Sequence, residues 1–280
     1  MKSYPALEIR GADANRLFAA IDDLSATAIE ERESSVRVFF STTSARDRAQ
    51  TVLSDFDVVP LEVSDEDWAR RSQADLQAVT VGRLTISPHL TARPETLAPS
   101  PNIIVITPSM GFGTGHHATT RLCLAGLQTL DLSDSSVLDV GTGSGVLAFA
   151  AARLGAARAI GIDHDPDAVQ AARGNLAFNP TARNVTFEVA DLRATALPRA
   201  AVVTANLTGA LLIQSAGDLL DAVEDGGRLI VSGLLSSERD DVVQALSVGS
   251  AGAPHAQVVW EREEDGWVGL AVKKSWQSTD

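Results

Sequence analysis

The feature that most constrains the fold is an apolar segment that runs into three closely spaced glycines. Residues 137–145 read VLDVGTGSG, and residues 160–163 read IGID. Apolar segments of strand length, separated by a helical stretch that begins at a glycine turn, are typical of a βαβ unit. Ligands of open α/β sheets bind beyond the carboxyl ends of the strands. The segment therefore predicts a site for a nucleoside-bearing cofactor, in which the carboxylate of Asp163 accepts hydrogen bonds from a ribose diol.

The glycine spacing argues against a dinucleotide. A dinucleotide fingerprint G-x-G-x-x-G requires its third glycine where this chain has Val146. Here Gly141, Gly143 and Gly145 form G-x-G-x-G, and glycines without side chains allow close approach to a compact ligand. Asp139 lies where the pyrophosphate of a nicotinamide cofactor would be close. The pattern is similar to the S-adenosylmethionine site of Rossmann-like methyltransferases, and the alternative is a tight βα turn without a ligand.

Composition limits the class of protein. The chain has 280 residues, of which 45% are hydrophobic, and a formal net charge of -13, so we expect a globular protein that does not bind nucleic acid directly. Its single cysteine, Cys123, excludes an intrachain disulfide, and no zinc-ligand spacing occurs, so no metal is expected. Without a signal-peptide pattern or a membrane-length apolar run, we expect a cytoplasmic monomer.

The amino-terminal part of the chain predicts a small α+β domain. Residues 1–63 show the order β-α-β-β-α-β, which is the ferredoxin-like unit. Residues 64–102 are expected to form a helical and proline-rich linker between domains. A capping-box pattern begins this segment at Ser64, and five of the 11 prolines lie between Pro88 and Pro108.

Residues 103–280 alternate between strand and helix patterns. Candidate strands lie at 103–107, 136–140, 158–163, 184–189, 200–205, 226–233, 256–262 and 267–273. This alternation predicts a parallel α/β sheet of the Rossmann-like class I methyltransferase type. The short turn at residues 264–266 forces the last two strands into an antiparallel hairpin, which is a further sign of the methyltransferase version of the fold.

Two polar residues follow later strands of this sheet. Asp191 follows residues 185–190, where it is placed either to reach an adenine amine or to cap a helix. Asn206 follows residues 200–205 and is either a helix N-cap or an acceptor of hydrogen bonds from an incoming amine.

A second glycine-rich segment, residues 110–120, precedes the cofactor strand and reads MGFGTGHHATT. Free backbone N–H groups ahead of a helix are suited to an anion, and the carboxylate of the methionine moiety is a plausible guest. A mobile lid with glycine hinges and a loop without ligand contacts are the alternatives.

Together these elements resemble the bacterial methyltransferases that modify large-subunit ribosomal protein eleven. The resemblance rests on Phe-Gly-Thr-Gly at residues 112–115, His117, the Gly141 loop, Gly-Ile-Asp at 161–163 and Asn206-Leu207. It implies a ferredoxin-like substrate-recognition domain and the transfer of methyl groups from S-adenosylmethionine to lysine amines of a ribosomal protein. The residues expected to contact the cofactor are Phe112, Gly113, Thr114, Thr120, Gly141, Gly143, Gly145, Asp163, Asp191 and Asn206, and those expected to assist the chemistry are Asn206 and His117.

The chain departs from the family pattern on the acceptor side. The family commonly has threonine where this chain has His116 and proline where it has Ala118, and Asn206 is followed by Leu207-Thr208 in place of Ile-Leu. These departures leave open a related methyltransferase with another protein or small-molecule acceptor, and a cofactor-binding protein without turnover. A lysine acceptor must lose its proton before attack, and His117 is either the base for that step or a structural hydrogen-bond partner.

Overall fold

The structure is a computed structural model that describes residues 3–11, 17, 24, 26–31, 34–40, 42–64, 77–88, 102–107, 115–194, 196–247 and 255–275. These residues divide into two compact units, one formed within residues 3–64 and the other from residue 77 onward. Among the described residues, no helix is long and apolar enough to cross a membrane.

The first unit is a four-stranded antiparallel sheet with one described helix. Its strands are β1 (Ser3–Arg10), β2 (Ala26–Glu31), β3 (Ser35–Phe40) and β4 (Asp57–Ser64), in the order β2-β3-β1-β4. Helix α1 (Thr43–Val52) begins where the Thr42 hydroxyl accepts a hydrogen bond from the N–H of Ala45, at 3.1 Å. This order supports the predicted ferredoxin-like unit. Of the first predicted helix, the structure describes Leu17, which is buried.

Alternation of side chains along the strands builds the core of this unit. Leu7 and Ile9 of β1 project to the face that α1 covers with Ala45 and Ala49. The opposite face carries a smaller apolar cluster that includes Phe39.

The second unit begins with a three-stranded sheet. Its strands are β5 (Val79–Val81), β6 (Leu84–Pro88) and β7 (Ile103–Ile106); β5 and β6 are antiparallel, and β6 and β7 are parallel. The sequence had placed residues 64–102 in a linker and residues 103–107 at the start of the main sheet. The structure differs because the buried side chains Ile86 and Ile104 belong to the apolar core of the second unit, so these short strands form a separate sheet that packs against this core. Residues 65–76 and 89–101 lie outside the described residues.

A seven-stranded sheet is the centre of the second unit. Its strands are β8 (Ser136–Val140), β9 (Arg158–Asp163), β10 (Val185–Val189), β11 (Ala200–Asn206), β12 (Val223–Leu235), β13 (His255–Glu264) and β14 (Trp267–Ser275). The strand order is β10-β9-β8-β11-β12-β14-β13, with β8 to β12 parallel and β14 antiparallel to both of its neighbours. The predicted α/β sheet with its closing antiparallel hairpin is therefore confirmed.

Helices cover both faces of this sheet. They are α2 (Ala118–Leu127), α3 (Val146–Arg153), α4 (Pro166–Asn175), α5 (Gly209–Gln214), α6 (Ala216–Ala222) and α7 (Arg239–Ser247). The core on one face contains α2, α3 and α4, and the core on the other contains α5, α6 and α7. Because every strand from β8 to β12 points in the same direction, the loops that follow β8, β9 and β11 meet at one edge.

A buried lysine ties the last strand to the helix layer. Lys274 of β14 is 5% exposed, and its Nζ donates hydrogen bonds to the carbonyl oxygens of Leu220 and Val223, at 2.7 and 2.8 Å. Both carbonyls lie at the carboxyl end of α6, where the last carbonyls of a helix have few backbone donors.

We expect Lys274→Met to lower the free energy of unfolding by about 2–4 kcal/mol, because two carbonyls lose a charged donor while the apolar stem is retained. Lys273→Met on the neighbouring position is the control and should change stability by less than about 0.5 kcal/mol. Urea unfolding of both variants provides the measurement. Equal stability of the two variants would show that the Lys274 hydrogen bonds contribute nothing.

Candidate functional site

The loop after β8 has a backbone that requires its glycines. Gly141, Gly143 and Gly145 have φ angles of 70°, 51° and 85°, which is the left-handed region that other residues rarely adopt. The N–H of Thr142 donates to the carbonyl of Ile162 at 2.9 Å, and the N–H of Gly145 donates to the carbonyl of Thr142 at 2.8 Å. The loop is thus a tight turn that is attached to the end of β9.

The same glycines allow neighbouring side chains to pack against the loop. A Cβ at Gly145 would lie 2.6 Å from Cζ of Phe187, and a Cβ at Gly141 would lie 2.5 Å from Cδ2 of Leu207. Phe187 is held in place by an edge-to-face contact with Phe149, at a centroid distance of 5.4 Å. Gly145 therefore makes room for an aromatic side chain beneath the loop.

Asp163 ends β9 and fastens the glycine loop. Its Oδ2 accepts the N–H of Gly143 and its Oδ1 accepts the N–H of Asp165, each at 3.0 Å. Burial by itself would raise the pKa of this carboxyl. The hydrogen bonds from His164, Asp165 and Gly143 outweigh burial and lower the pKa, so Asp163 is ionised at neutral pH. A carboxylate has about four acceptor positions, so these bonds leave capacity for a further donor such as a ribose hydroxyl.

Asp139, one strand away, has the opposite electrostatic character. It is 1% exposed, and its two oxygens accept hydrogen bonds from the hydroxyls of Thr142 and Thr204, at 2.6 and 2.7 Å. Burial raises the pKa of Asp139 to about 6, although the two threonine hydroxyls act to lower it. Asp139 therefore links β8, the glycine loop and β11 from below the site.

The start of α2 meets the end of β11. The Nδ2 of Asn206 donates to the Thr120 hydroxyl at 3.4 Å, and Thr120 is 1% exposed. Asn206 is not the N-cap that the sequence left open as an alternative, because Thr208 caps α5. Two residues predicted to contact the cofactor are thus in direct contact with each other.

His117 is the N-cap of α2. Its Nδ1 accepts from the N–H of Thr119 at 3.4 Å and lies 2.8 Å from the Thr119 hydroxyl. Its ring makes an edge contact with Trp267, at a centroid distance of 5.0 Å. Burial, with a smaller contribution from the Arg121 guanidinium, lowers the pKa of His117, so the ring is neutral at neutral pH. This geometry favours the structural interpretation of His117.

Arg121 holds the β13–β14 turn against the start of α2. Its Nε donates to the Glu264 carboxylate at 2.6 Å, its Nη2 donates to Asp265 at 3.2 Å, and its Nη1 donates to the carbonyl of His116. No sequence pattern indicates Arg121 as a site residue. Its partners Glu264 and Asp265 lie 143 and 144 positions further along the chain, so no local pattern in the sequence marks these pairs.

Comparisons with known proteins assign the chain to a family. A family model described as ribosomal protein L11 methyltransferase (PrmA) matches residues 12–275. The ribosomal protein L11 methyltransferase of Deinococcus radiodurans is 38% identical over 240 residues, which cover 80% of this chain and 81% of that protein. This chain belongs to the ribosomal protein L11 methyltransferase family. The protein of the same name from Geobacter sulfurreducens is 44% identical over 189 residues, which cover 66% of this chain and 60% of that relative, less than two thirds of its length.

A solved structure supports the same assignment of fold. The crystal structure of a ribosomal protein L11 methylase from Lactobacillus delbrueckii subsp. bulgaricus aligns with a TM-score of 0.61 and 26% identity, and covers 71% of this chain and 98% of that one. Membership of the L11 methyltransferase family confirms the predicted family, the predicted fold and S-adenosylmethionine as the cofactor.

The remaining predicted site residues divide into two groups. Asp191 is partly exposed, and its carboxylate accepts the N–H of Arg193 at 2.9 Å, which is the local turn-capping arrangement. Phe112, Gly113 and Thr114 lie outside the described residues. Among the described residues, no three His, Cys, Asp or Glu side chains are grouped as a metal site.

We expect Asp139→Asn to change how stability depends on pH. The pKa of about 6 in the folded protein exceeds the value of about 3.9 in an unfolded chain, so the stabilising contribution of Asp139 is complete below about pH 4 and is lost as pH rises through 6. The neutral asparagine escapes this loss. The unfolding free energy of the variant minus that of the parent should therefore increase by about 2.4 kcal/mol between pH 4 and 7.5.

Urea unfolding at a series of pH values measures this difference. The contributions of the other carboxylates to the unfolding free energy cancel in the difference because both proteins contain them. Asp131→Asn is the matched control. Hydrogen bonds from Ser133 lower the pKa of the exposed Asp131 carboxyl. The unfolding free energy of Asp131→Asn minus that of the parent should therefore change little with pH, and in the opposite direction. A pH-independent difference for Asp139→Asn would contradict the assignment of Asp139.

Proposed function

We propose that this protein transfers methyl groups from S-adenosylmethionine to lysine amino groups of ribosomal protein L11. The observation that carries this proposal is the ionised carboxylate of Asp163, which holds the N–H of Gly143 at the carboxyl edge of a sheet in an L11 methyltransferase family chain. When bound, the cofactor supplies a sulfonium whose methyl group is already activated for transfer to a nucleophile.

The residues present fit such a cofactor. Asp163 has acceptor capacity for the ribose diol, and the loop of Gly141 and Gly143 presents backbone without side chains beside it. Thr120 and Asn206 border the site from α2 and β11. We propose contacts to the cofactor from these residues and from Gly145 and Asp191, and from Phe112, Gly113 and Thr114 in the upstream segment. Gly145 also leaves the space that Phe187 occupies beneath the loop.

The acceptor amine needs orientation and loss of a proton. The Nδ2 of Asn206 donates to Thr120, and because an amide is planar this bond also fixes the direction of its Oδ1. We propose that Oδ1 accepts a hydrogen bond from the lysine amine and aligns its lone pair. A dry site beside a positive sulfonium lowers the pKa of a lysine amine from about 10.4. His117 remains a proposed assistant to this step, in addition to its capping bond with Thr119.

The overall charge of the chain suits a basic protein substrate. A net charge of -13 attracts basic proteins at long range and disfavours direct binding to nucleic acid. We propose that the protein acts as a monomer in the cytoplasm.

A second candidate is methyl transfer to another protein or small-molecule acceptor, for which the atypical residues provide the argument. His116 contacts the carbonyl of Gln77 through Nε2, at 2.9 Å, and Thr208 caps α5 by accepting the N–H of Leu211, at 3.4 Å. Since both residues have structural partners, their presence gives no separate support for another acceptor, and ribosomal protein L11 is the better-supported substrate.

We expect the protein to label unmethylated L11 from its own organism when both are incubated with S-adenosylmethionine that carries a labelled methyl group. Mass spectrometry should locate the label on lysine side chains of L11. Label on other lysate components, with none on L11, would favour the second candidate. Bound cofactor without any label would indicate a binding protein that has no turnover.

We expect Asp163→Ala to weaken S-adenosylmethionine binding at least about 100-fold, because it removes charged hydrogen bonds worth about 1.5–3 kcal/mol each. Asp165→Asn is the matched control, since it removes a charge two residues away and keeps a good N-cap for α4. Its affinity should stay within about threefold of the parent. Calorimetry gives both affinities, and an unchanged affinity in Asp163→Ala would show that the ribose binds elsewhere.

A further inference from the structure

Two buried asparagines lie outside the predicted site. Asn175 is the last residue of α4, and Asn179 lies four residues further along the chain. Asn175 and Asn179 are each 1% exposed. Burying an amide side chain is unfavourable unless its donors and acceptor have partners. The partners of these two side chains therefore show what each amide stabilises.

Asn179 holds the edge of the small sheet. Its Oδ1 accepts the N–H of Val105 at 3.0 Å, and its Nδ2 donates to the carbonyl of Val105 at 2.7 Å. The Nδ2 also donates to the carbonyl of Asn175 at 2.8 Å. The side-chain amide thus pairs with β7 as a neighbouring strand would, and its role is structural.

Asn175 joins the residue that follows β7 to the glycine loop, residues 141–145. Its Oδ1 accepts the N–H of Thr107 at 2.9 Å, and its Nδ2 donates to the carbonyl of Ser144 at 3.0 Å. The peptide between Ser144 and Gly145 is then held at both ends, because the N–H of Gly145 donates to the carbonyl of Thr142 at 2.8 Å. One planar amide therefore fixes the orientation of a peptide inside the glycine loop.

The position of Thr107 extends this connection to the second glycine segment. Thr107 is the residue from which the chain enters residues 108–114, and these include Phe112, Gly113 and Thr114. The glycine loop, for its part, presents the N–H of Gly143 to Asp163 at 3.0 Å. Asn175 hence links the loop that contacts Asp163 with the start of the segment that we propose to contact the methionine moiety.

We propose that Asn175 is a positioning residue for cofactor binding, which acts through Ser144 and Thr107 and does not contact the cofactor. The inference rests on the proposed function, since it assumes that the glycine loop binds S-adenosylmethionine. Asn175 would hold the glycine loop in the binding geometry before the cofactor binds. The free-energy cost of ordering the loop would then not reduce the affinity.

The test compares Asn175→Ala with Asn179→Ala. Both variants remove a buried amide of the same size beside β7, and Asn179→Ala loses three hydrogen bonds while Asn175→Ala loses two. The control should therefore lose at least as much thermal stability. We expect Asn175→Ala to raise the Kd for S-adenosylmethionine at least about tenfold, and Asn179→Ala to change it by less than about threefold, as measured by calorimetry.

A second readout does not depend on the cofactor. In the cofactor-free protein, amide hydrogen exchange at residues 142–145 should become faster in Asn175→Ala than in Asn179→Ala. Equal affinities in the two variants would overturn the proposal, and so would equal exchange. If Asn175→Ala does not fold, Asn175→Asp at pH 8.5 replaces it, because aspartate keeps the acceptor for Thr107 and loses the donor to Ser144.

The outcomes separate this inference from the proposed function. A parent protein that does not bind S-adenosylmethionine would contradict the proposed function, while the exchange comparison would still test the Asn175 connection. A parent and Asn175→Ala that bind equally well would contradict the positioning role alone.

Discussion

The site depends on the hydrogen bond between the Asp163 carboxylate and the N–H of Gly143. Asp163 is fixed by its place at the end of β9, and Gly143 by the turn after β8, so the bond joins two adjacent parallel strands at their carboxyl ends. It stabilises the ionised carboxylate in a buried position, and it holds the loop backbone close to the proposed ribose site. The remaining contacts of the site support these two residues.

Three buried groups support the glycine loop. Asp139 accepts hydrogen bonds from the hydroxyls of Thr142 and Thr204. These bonds connect the glycine loop to β11, the strand that ends at Asn206. Phe187 fills the space that the absent side chain of Gly145 leaves, and Asn175 fixes the peptide that follows Ser144. The loop is thus constrained by a carboxyl, an aromatic ring and an amide, each from a different element. Such preorganisation reduces the ordering cost of binding.

The acceptor side is organised by α2. Its first residues contribute the Thr120 hydroxyl that contacts Asn206, and Arg121 fastens the same turn to Glu264 of the last hairpin. His117 caps the helix and packs against Trp267. The antiparallel hairpin that distinguishes the methyltransferase sheet therefore also positions residues beside the proposed acceptor site.

Much of this arrangement was predictable because its signals are local. The glycine pattern with Asp163, the periodicity of each strand and helix, and the short turn before β14 are local features, and they predict the sheet. The family is predicted by the resemblance of the motif at residues 112–117, together with the Gly141 loop and Asn206, to the family pattern. Strands β5 and β6 were not predicted, because three- and five-residue strands carry little periodicity and their stability comes from packing of Ile86 into a distant core.

The sequence by itself determined the family, through its motifs, and it determined the glycine loop and the carboxylate at the end of β9, since turn conformation and strand order depend on residue type and spacing. Only the tertiary structure decided the partners of those residues. The bond from Asn206 to Thr120 and the bonds of Asn175 to Ser144 and Thr107 join positions 86, 31 and 68 residues apart. Hydrogen bonds between positions so far apart leave no pattern in the chain, because they form only when the fold brings buried polar groups together and water no longer satisfies them.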